Sequence, residues 1–325
     1  MRGFSIVGQK ERRYTFAYTK DKVFHPNLEG IGGERHFYTR PGENTVEYDL
    51  SSLESDLAPV HQRLIDGEFD PTLDSLKAAE LLAHASLRAK LLRFEMSVAI
   101  EEFRSFLDNF TKDRKAFARL LKQHLADNPT LISADPRAKL VGGDLAWIDD
   151  VLRDHPELAL QFIDPTFFSL IDTATTHVFS NVDEFTRSSH LKLLNETLAP
   201  TNLIDRFQSQ HIRLLRLDTK TLVFGDSIVF YLDKKGRALG GLNVAGNESA
   251  ICLPISPNSA LISAPFLLDH RRVDYLGGAI RSSLQFFIYP TEQAHLRKRT
   301  NSIGSLAGNK LKAIAEDVFS SFLSA

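Results

Sequence analysis

Arg88 is where the chemistry of this chain can be argued first. It sits among Leu81, Leu87, Leu91 and Phe94 in a long helical pattern, where a buried guanidinium needs a carboxylate or phosphate partner of matching planar geometry. Glu47 and Glu54 lie upstream in a second apolar-periodic segment and can supply that partner. Seven positions apart, they share one helix face but stand about 10.5 Å apart along its axis at 1.5 Å per residue. They cannot both ligate one metal ion, and two separate ion pairs with neighbouring basic residues are the structural alternative. Asp226, in Gly225-Asp226-Ser227 between two apolar runs, either closes an Asx turn or presents its carboxylate to a cleft. Gathered together, Arg88, Glu54 and Asp226 would make the polar centre of a hydrolase-like enzyme.

A second set of residues points elsewhere. His295, Arg297, Lys298 and Arg299 form the one compact basic run, which is either a solvated face or a contact for phosphate or nucleic acid. Trp147 is too distant in sequence to interleave with it as a stacking partner. His36, beside Phe37 and Tyr38, has the side chain for acid–base work near neutral pH, although an exposed or core-edge histidine is the more ordinary role. The rival to the hydrolase is therefore a non-catalytic binding or regulatory module that meets an anionic partner through Arg297, Lys298 and Arg299, with Glu47 and His36 as further binding candidates. Metal dependence separates the two, because the hydrolase should bind a divalent ion or hold a polar pocket. The residues assign no cofactor and no metal.

Stronger signatures are missing. HExxH, CxxC, GxxxxGK[ST] and GxSxG do not occur. Gly304-Ser305-Leu306-Ala307-Gly308 has the wrong spacing for a nucleophile elbow, and Ser189-His190-Leu191-Lys192 fits SxxK without the motifs that accompany it in β-lactamases. Gly30, Gly32 and Gly33 do not make a dinucleotide loop, since the third glycine would fall at Arg35 and no buried strand precedes them.

The elements that must position these groups follow from composition and period. The 325 residues are 43% hydrophobic and 25% charged, which is ordinary globular composition. The 39 basic and 41 acidic residues leave a formal charge of -2, so no bulk attraction to nucleic acid follows, though a basic face can hide inside a balanced total. The single cysteine, Cys252, cannot form an internal disulfide and reads as a buried strand residue in a reducing compartment. No apolar run reaches the length of a membrane span and no secretory signal opens the chain, so a cytoplasmic protein with no membrane partner is expected.

Arg13 to Tyr18 alternates as a strand and meets a turn at Lys20-Asp21-Lys22. Val46, Leu50, Leu53, Leu57, Val60 and Leu64 recur at helical spacing until Gly67. Pro71 to Asp108 reads as one long helix without internal Gly or Pro from Thr72 onward, and shorter helices are expected at Asp113 to Ala126, Asp144 to Asp154 and Asp183 to Leu198, opened by aspartate caps. After His211 the texture turns to β. His211 to Leu217, Thr221 to Phe224, Ile228 to Leu232 and Ala250 to Ile255 are expected to pair as one antiparallel sheet. Helices are expected again at Val273 to Phe287 and Lys310 to Leu323. The fold class is α+β: a small N-terminal β ribbon, a helical middle and a C-terminal antiparallel sheet with helices. A single large domain over residues 1–325 is expected, with a subdivision into a mainly helical 1–210 and a β-rich 211–325 as the alternative.

A resemblance joins these pieces. Gly32 to Tyr38 (GGERHFY), the pair Glu47 and Glu54, Arg88, Gly225-Asp226-Ser227, Leu253-Pro254-Ile255-Ser256-Pro257 and the segment Tyr275 to Phe287 together resemble the bacterial family catalogued as domain of unknown function 4238. The order and spacing carry the likeness over most of the chain, since no one motif is specific. The family has no established activity, so the resemblance implies no reaction. Members commonly begin with a His-Tyr-Val-Pro segment leading into a Leu-Arg-Gly-Phe-like stretch, whereas this chain opens with Met1-Arg2-Gly3-Phe4-Ser5. The natural reading frame is accordingly expected to extend upstream and to encode the histidine segment. Members also often carry a Ser-Asp-Asn-Pro-like turn, where this chain has Gly225-Asp226-Ser227-Ile228 and keeps only the acid.

Overall fold

The computed structural model describes residues 2–7, 12–31, 45–112, 122, 126–130, 133, 146–155, 158, 169, 173, 176, 180, 182–218, 222–240 and 249–306. The chain divides into two compact units, one of Met1–Met96 with Thr186–Lys310 and one of Ser97–Phe185 with Leu311–Ala325. In the second unit a short helix, Ala146–Asp154, is tied down by Asp149, whose buried carboxylate accepts from the Ser133 amide at 3.0 Å.

The first unit is an α+β structure whose described strands are all antiparallel. Chain order gives β1 (Ile6–Val7), β2 (Arg13–Tyr14), β3 (Phe16–Tyr18), β4 (Val23–Phe24), β5 (His211–Arg216), β6 (Phe224–Gly225), β7 (Phe230–Leu232), β8 (Ala238–Leu239), β9 (Ala250–Ser256), β10 (Ser259–Ala264) and β11 (Phe287–Tyr289). They form a ribbon β1-β2, a four-stranded sheet β4-β3-β11-β6 and a five-stranded sheet β5-β10-β9-β7-β8. The long helices are α1 (Thr45–Asp66), α2 (Pro71–Arg88) and α3 (Lys90–Lys112); α4 is the Ala146–Asp154 helix, followed by α5 (Val182–Glu196), α6 (Thr201–Gln208), α7 (Tyr275–Ser282) and α8 (Ala294–Arg297).

The five-stranded sheet buries both faces, which explains why β9 is a nearly unbroken apolar run. Along it Ile251, Leu253 and Ile255 join a core made with α1, α2 and Phe207 of α6, while Ala250 and Cys252 face a second core around Phe4, Tyr18, Leu232 and Phe287. The alternation is the strand period of two, expressed between two apolar layers instead of between core and solvent. Ala78, Ala79 and Ala83 of α2 keep its surface low beside Leu57, Val60 and Leu64 of α1. Full burial of a leucine such as Leu64 or Leu82 contributes about 1.5–3 kcal/mol. Gly67, with φ +78°, ends α1, and the Asp70 side chain accepts from the Thr72 amide at 2.8 Å to open α2 beside Pro71.

Several expected boundaries move. The Pro71 to Asp108 helix breaks at Ala89, whose ψ of 124° leaves the helical region without any Gly or Pro. The Leu87 carbonyl in the last turn of α2 is instead satisfied by His190 Nε2 of α5 at 2.7 Å, so tertiary packing terminates the helix. Of the four strands expected in one sheet, the Thr221 to Phe224 run supplies only Phe224 to a strand, and that strand, β6, pairs with β11 in the other sheet. Val273 to Phe287 is helical only over α7, after which Phe287 begins β11. Helix α6 and strand β10 were not expected from the pattern. Asp183 lies inside α5 rather than before it. Most of Asp113 to Ala126, and all of Lys310 to Leu323, lie outside the described residues, as does the glycine-bearing stretch 32–40.

Candidate functional site

Of the expected polar centre, the structure brings Arg88 and Glu54 together. Arg88 Nη1 donates to Glu54 Oε1 across the α1–α2 packing, with the two side chains 29% and 51% exposed. Both are therefore open enough for water to weaken the attraction. Glu47 lies in the first turn of α1 and its side chain is outside the described set; His36 is outside it altogether.

A residue that motif reasoning passed over completes this corner. His84, one helical turn before Arg88 on α2, is buried, and its Nδ1 stands 3.1 Å from the Leu198 carbonyl. A carbonyl only accepts, so Nδ1 carries the proton and Nε2 keeps its lone pair in the neutral ring. Nε2 is buried with no hydrogen-bond partner among the described residues. Burial pushes the imidazole below its ordinary pKa; the Leu198 carbonyl and Glu54 pull the other way, and Arg88 adds to the depression. Two positions on from His84, Ser86 donates to the Leu82 carbonyl at 2.7 Å and meets the hydroxyl of Tyr231, whose pKa burial raises to about 12.

Asp226 has other partners. Its carboxylate accepts from the Leu284 amide at 2.8 Å and the Gln285 amide at 3.0 Å, satisfying two backbone donors just beyond α7. Both Asp226 oxygens thus act in holding the β6–β7 turn against the α7–β11 connection. The next turn residue, Ile228, has φ +61°, a conformation that this acid-anchored turn imposes on a β-branched side chain.

The basic run, by contrast, is part of a larger face. His295, Arg297, Lys298 and Arg299 are exposed while Leu296 is buried beneath them. Arg299 and Arg281 approach opposite oxygens of Asp274, each at 4.0 Å, and Asp274 also caps α7 by accepting from the Gly277 amide at 2.8 Å. One exposed carboxylate so spaced from two guanidinium groups neutralises neither strongly. Just ahead, the single turn His270–Arg272 projects Arg271 and Arg272 into solvent. It is pinned by Asp269, which accepts from the Arg271 amide at 3.2 Å, and by a hydrogen bond between His270 Nδ1 and the Tyr275 hydroxyl. The β7–β8 turn then brings in Lys234 and Lys235, because Gly236 packs against Val273 so closely that a Cβ there would lie 2.7 Å from Val273 Cγ2.

Ion pairing within this face is incomplete. Arg237 pairs with Asp233 at 2.7 Å, Arg272 with Asp269 at 3.1 Å and Arg297 with Glu292 at 3.1 Å. Among the described residues, Lys234, Lys235, Arg271 and Lys298 have no carboxylate within ion-pair distance. The surface joins segments far apart in sequence, 234–237, 270–272 and 295–299, which is why its extent could not be read there. No group of three or more His, Cys, Asp or Glu among the described residues is arranged to hold a metal ion.

Fold and site thus define an α+β protein with a basic surface at one end of α7, and no helix among its described residues is long and apolar enough to cross a membrane. The chain belongs to the family of proteins of unknown function DUF4238, whose family model matches residues 1–303. Among curated proteins and among solved structures, nothing matches the chain.

Proposed function

We propose that the protein is a binding or regulatory module that docks an anionic partner through the face built by Lys234, Lys235, Arg271, Arg281, Lys298 and Arg299. The observation that carries this reading is that Lys234, Lys235, Arg271 and Lys298, on three separate turns, are exposed with no carboxylate within ion-pair distance among the described residues, in a chain whose overall charge is -2. Such a concentration costs self-repulsion, which the opposite charge of a bound polyanion offsets, while the counterions freed from the polyanion add a favourable entropy. The lone, fully buried Cys252 supports a reducing interior, and hence the cytoplasm, as the place of action. Retention on heparin tests the reading. The protein should bind at low salt and elute progressively as salt rises, and replacing Arg297, Lys298 and Arg299 by alanine should move elution to lower salt. Passage through the column at low salt, with no binding to any other polyanionic surface, would end the proposal.

A hydrolase-like role is the second reading, supported by the bare Nε2 of His84 beside the Glu54–Arg88 pair. There Arg88 would orient an anionic group and His84 would accept a proton, with Asp226 in a supporting place through the turn it anchors. Release of p-nitrophenol from its phosphate and acetate esters, abolished in His84→Ala but not in Lys298→Ala, is the expected result. Hydrolysis at the uncatalysed rate by the wild-type protein would remove this reading.

A further inference from the structure

Resting on the docking reading above, we propose that the anionic partner is a lipid surface, and that Leu267 enters it while the cations of the docking face meet the headgroups. Leu267 is 83% exposed, the highest value among the large apolar side chains of the described residues. It is not a loosely hung residue. Leu268 beside it is 6% exposed and belongs to the core that includes Cys252 and Tyr275, and the turn that follows is fixed by the Asp269 cap and the His270–Tyr275 hydrogen bond. The chain therefore holds one leucine outward, four residues before Arg271 and five before Arg272.

Chemistry distinguishes the candidate partners. A nucleic acid met through its phosphates leaves such a leucine in water, so the residue contributes nothing to that complex. An anionic bilayer takes both parts, because each basic side chain near the surface is attracted by the headgroup charge and an apolar side chain gains by leaving water for the acyl boundary. One leucine is too small an anchor alone and a few cations alone are readily screened, so the two together give weak, reversible, salt-dependent attachment. The carboxylates of the face oppose this, but Asp233, Asp269 and Glu292 are held by Arg237, Arg272 and Arg297, and only Asp274, 4.0 Å from Arg281 and from Arg299, draws on the cations of the docking set. Attachment of this kind needs no spanning helix, and the cytoplasmic leaflet is the anionic one.

The test is co-sedimentation of the full chain with phosphatidylcholine vesicles, with and without phosphatidylserine, alongside heparin retention and binding of a duplex oligonucleotide. Binding is expected only with phosphatidylserine and should fall as salt rises. Leu267→Ser, at an exposed position that leaves the thermal transition unchanged, should weaken vesicle binding about tenfold, the loss of one buried leucine. That variant should keep wild-type heparin retention, whereas Lys234→Ala with Lys235→Ala should weaken both. Heparin or oligonucleotide binding without vesicle binding would overturn the lipid proposal and leave the docking reading standing. Binding to none of the three would overturn both, and vesicle binding by Leu267→Ser equal to the wild type would remove the insertion on which the proposal depends.

Discussion

Glu54 and Arg88, 34 positions apart, close an ion pair between α1 and α2 one helical turn from the buried ring of His84. The pair is exposed while the histidine is not, and the two should therefore answer to different variables, salt in one case and pH in the other.

For the ion pair, a double-mutant cycle on Glu54→Gln and Arg88→Met should return a coupling of about 0.2–1 kcal/mol at low salt, as for other exposed pairs. Urea unfolding measures it. Repeating the cycle in molar salt should reduce the coupling, because water already reaches both groups.

His84 contributes through its depressed pKa. The ring stays neutral in the folded protein at pH values where the unfolded chain, near the ordinary 6.5, takes up a proton. The unfolded state therefore binds more protons, and stability held above pH 6.5 falls as the pH drops toward the folded-state pKa. His270 is displaced in the same direction, by burial first and Arg213 second, and adds to the effect. Chemical denaturation across this acid range should show a shallower loss of stability in His84→Asn than in the wild type.

Asp226 is 7% exposed and satisfies two backbone amides at once. Asp226→Ala should leave both donors unmet and cost about 1–3 kcal/mol, with Asp226→Asn, which retains one acceptor oxygen, losing less. Thermal unfolding gives the order, and amide exchange at Leu284 and Gln285 should accelerate selectively.

Gly236 has φ +78°, and its Cα hydrogens face Val273. Gly236→Ala should destabilise the protein by about 1–2 kcal/mol from the left-handed conformation alone. Since the same turn presents Lys234 and Lys235, elution from heparin should also move to lower salt even though no charge is changed.

Much of this fold is written in local pattern. The α1 stripe from Leu50 to Leu64 and the stop at Gly67 were readable because one helix face is buried along its length, Leu50 beside Leu87 and Leu194 and Leu57 to Leu64 in the larger core, and the glycine takes a backbone conformation that other residues avoid. The break at Ala89 was not, for its cause is a histidine about a hundred positions away that claims the Leu87 carbonyl. Phe224 and Gly225 make a strand too short to encode which sheet they join; that choice is made by β11. The Arg88–Glu54 contact followed from the match of a helix guanidinium to a carboxylate on the neighbouring helix, although the pair lies open to water and not inward, whereas His84 gives no periodic signal that separates it from any other helical histidine. The basic face was visible only at 295–299, because its other turns converge through Gly236–Val273 and Asp274, which are tertiary contacts.

Strand β3 has consequences for the order in which the protein is made. Its neighbour Thr15 donates to the Tyr289 carbonyl 274 positions away, and Tyr18 stacks on Phe287 with ring centroids 5.1 Å apart. A ribosome adding about 5–20 residues per second needs roughly 14 to 55 seconds to travel that interval. During vectorial synthesis the β3–β4 hairpin therefore waits without its permanent neighbour, carrying the aromatic side chains of Phe16 and Tyr18 and an open strand edge. Aggregation during expression should accordingly depend on translation speed and on chaperones that shield nascent chains, even where the finished protein is well behaved.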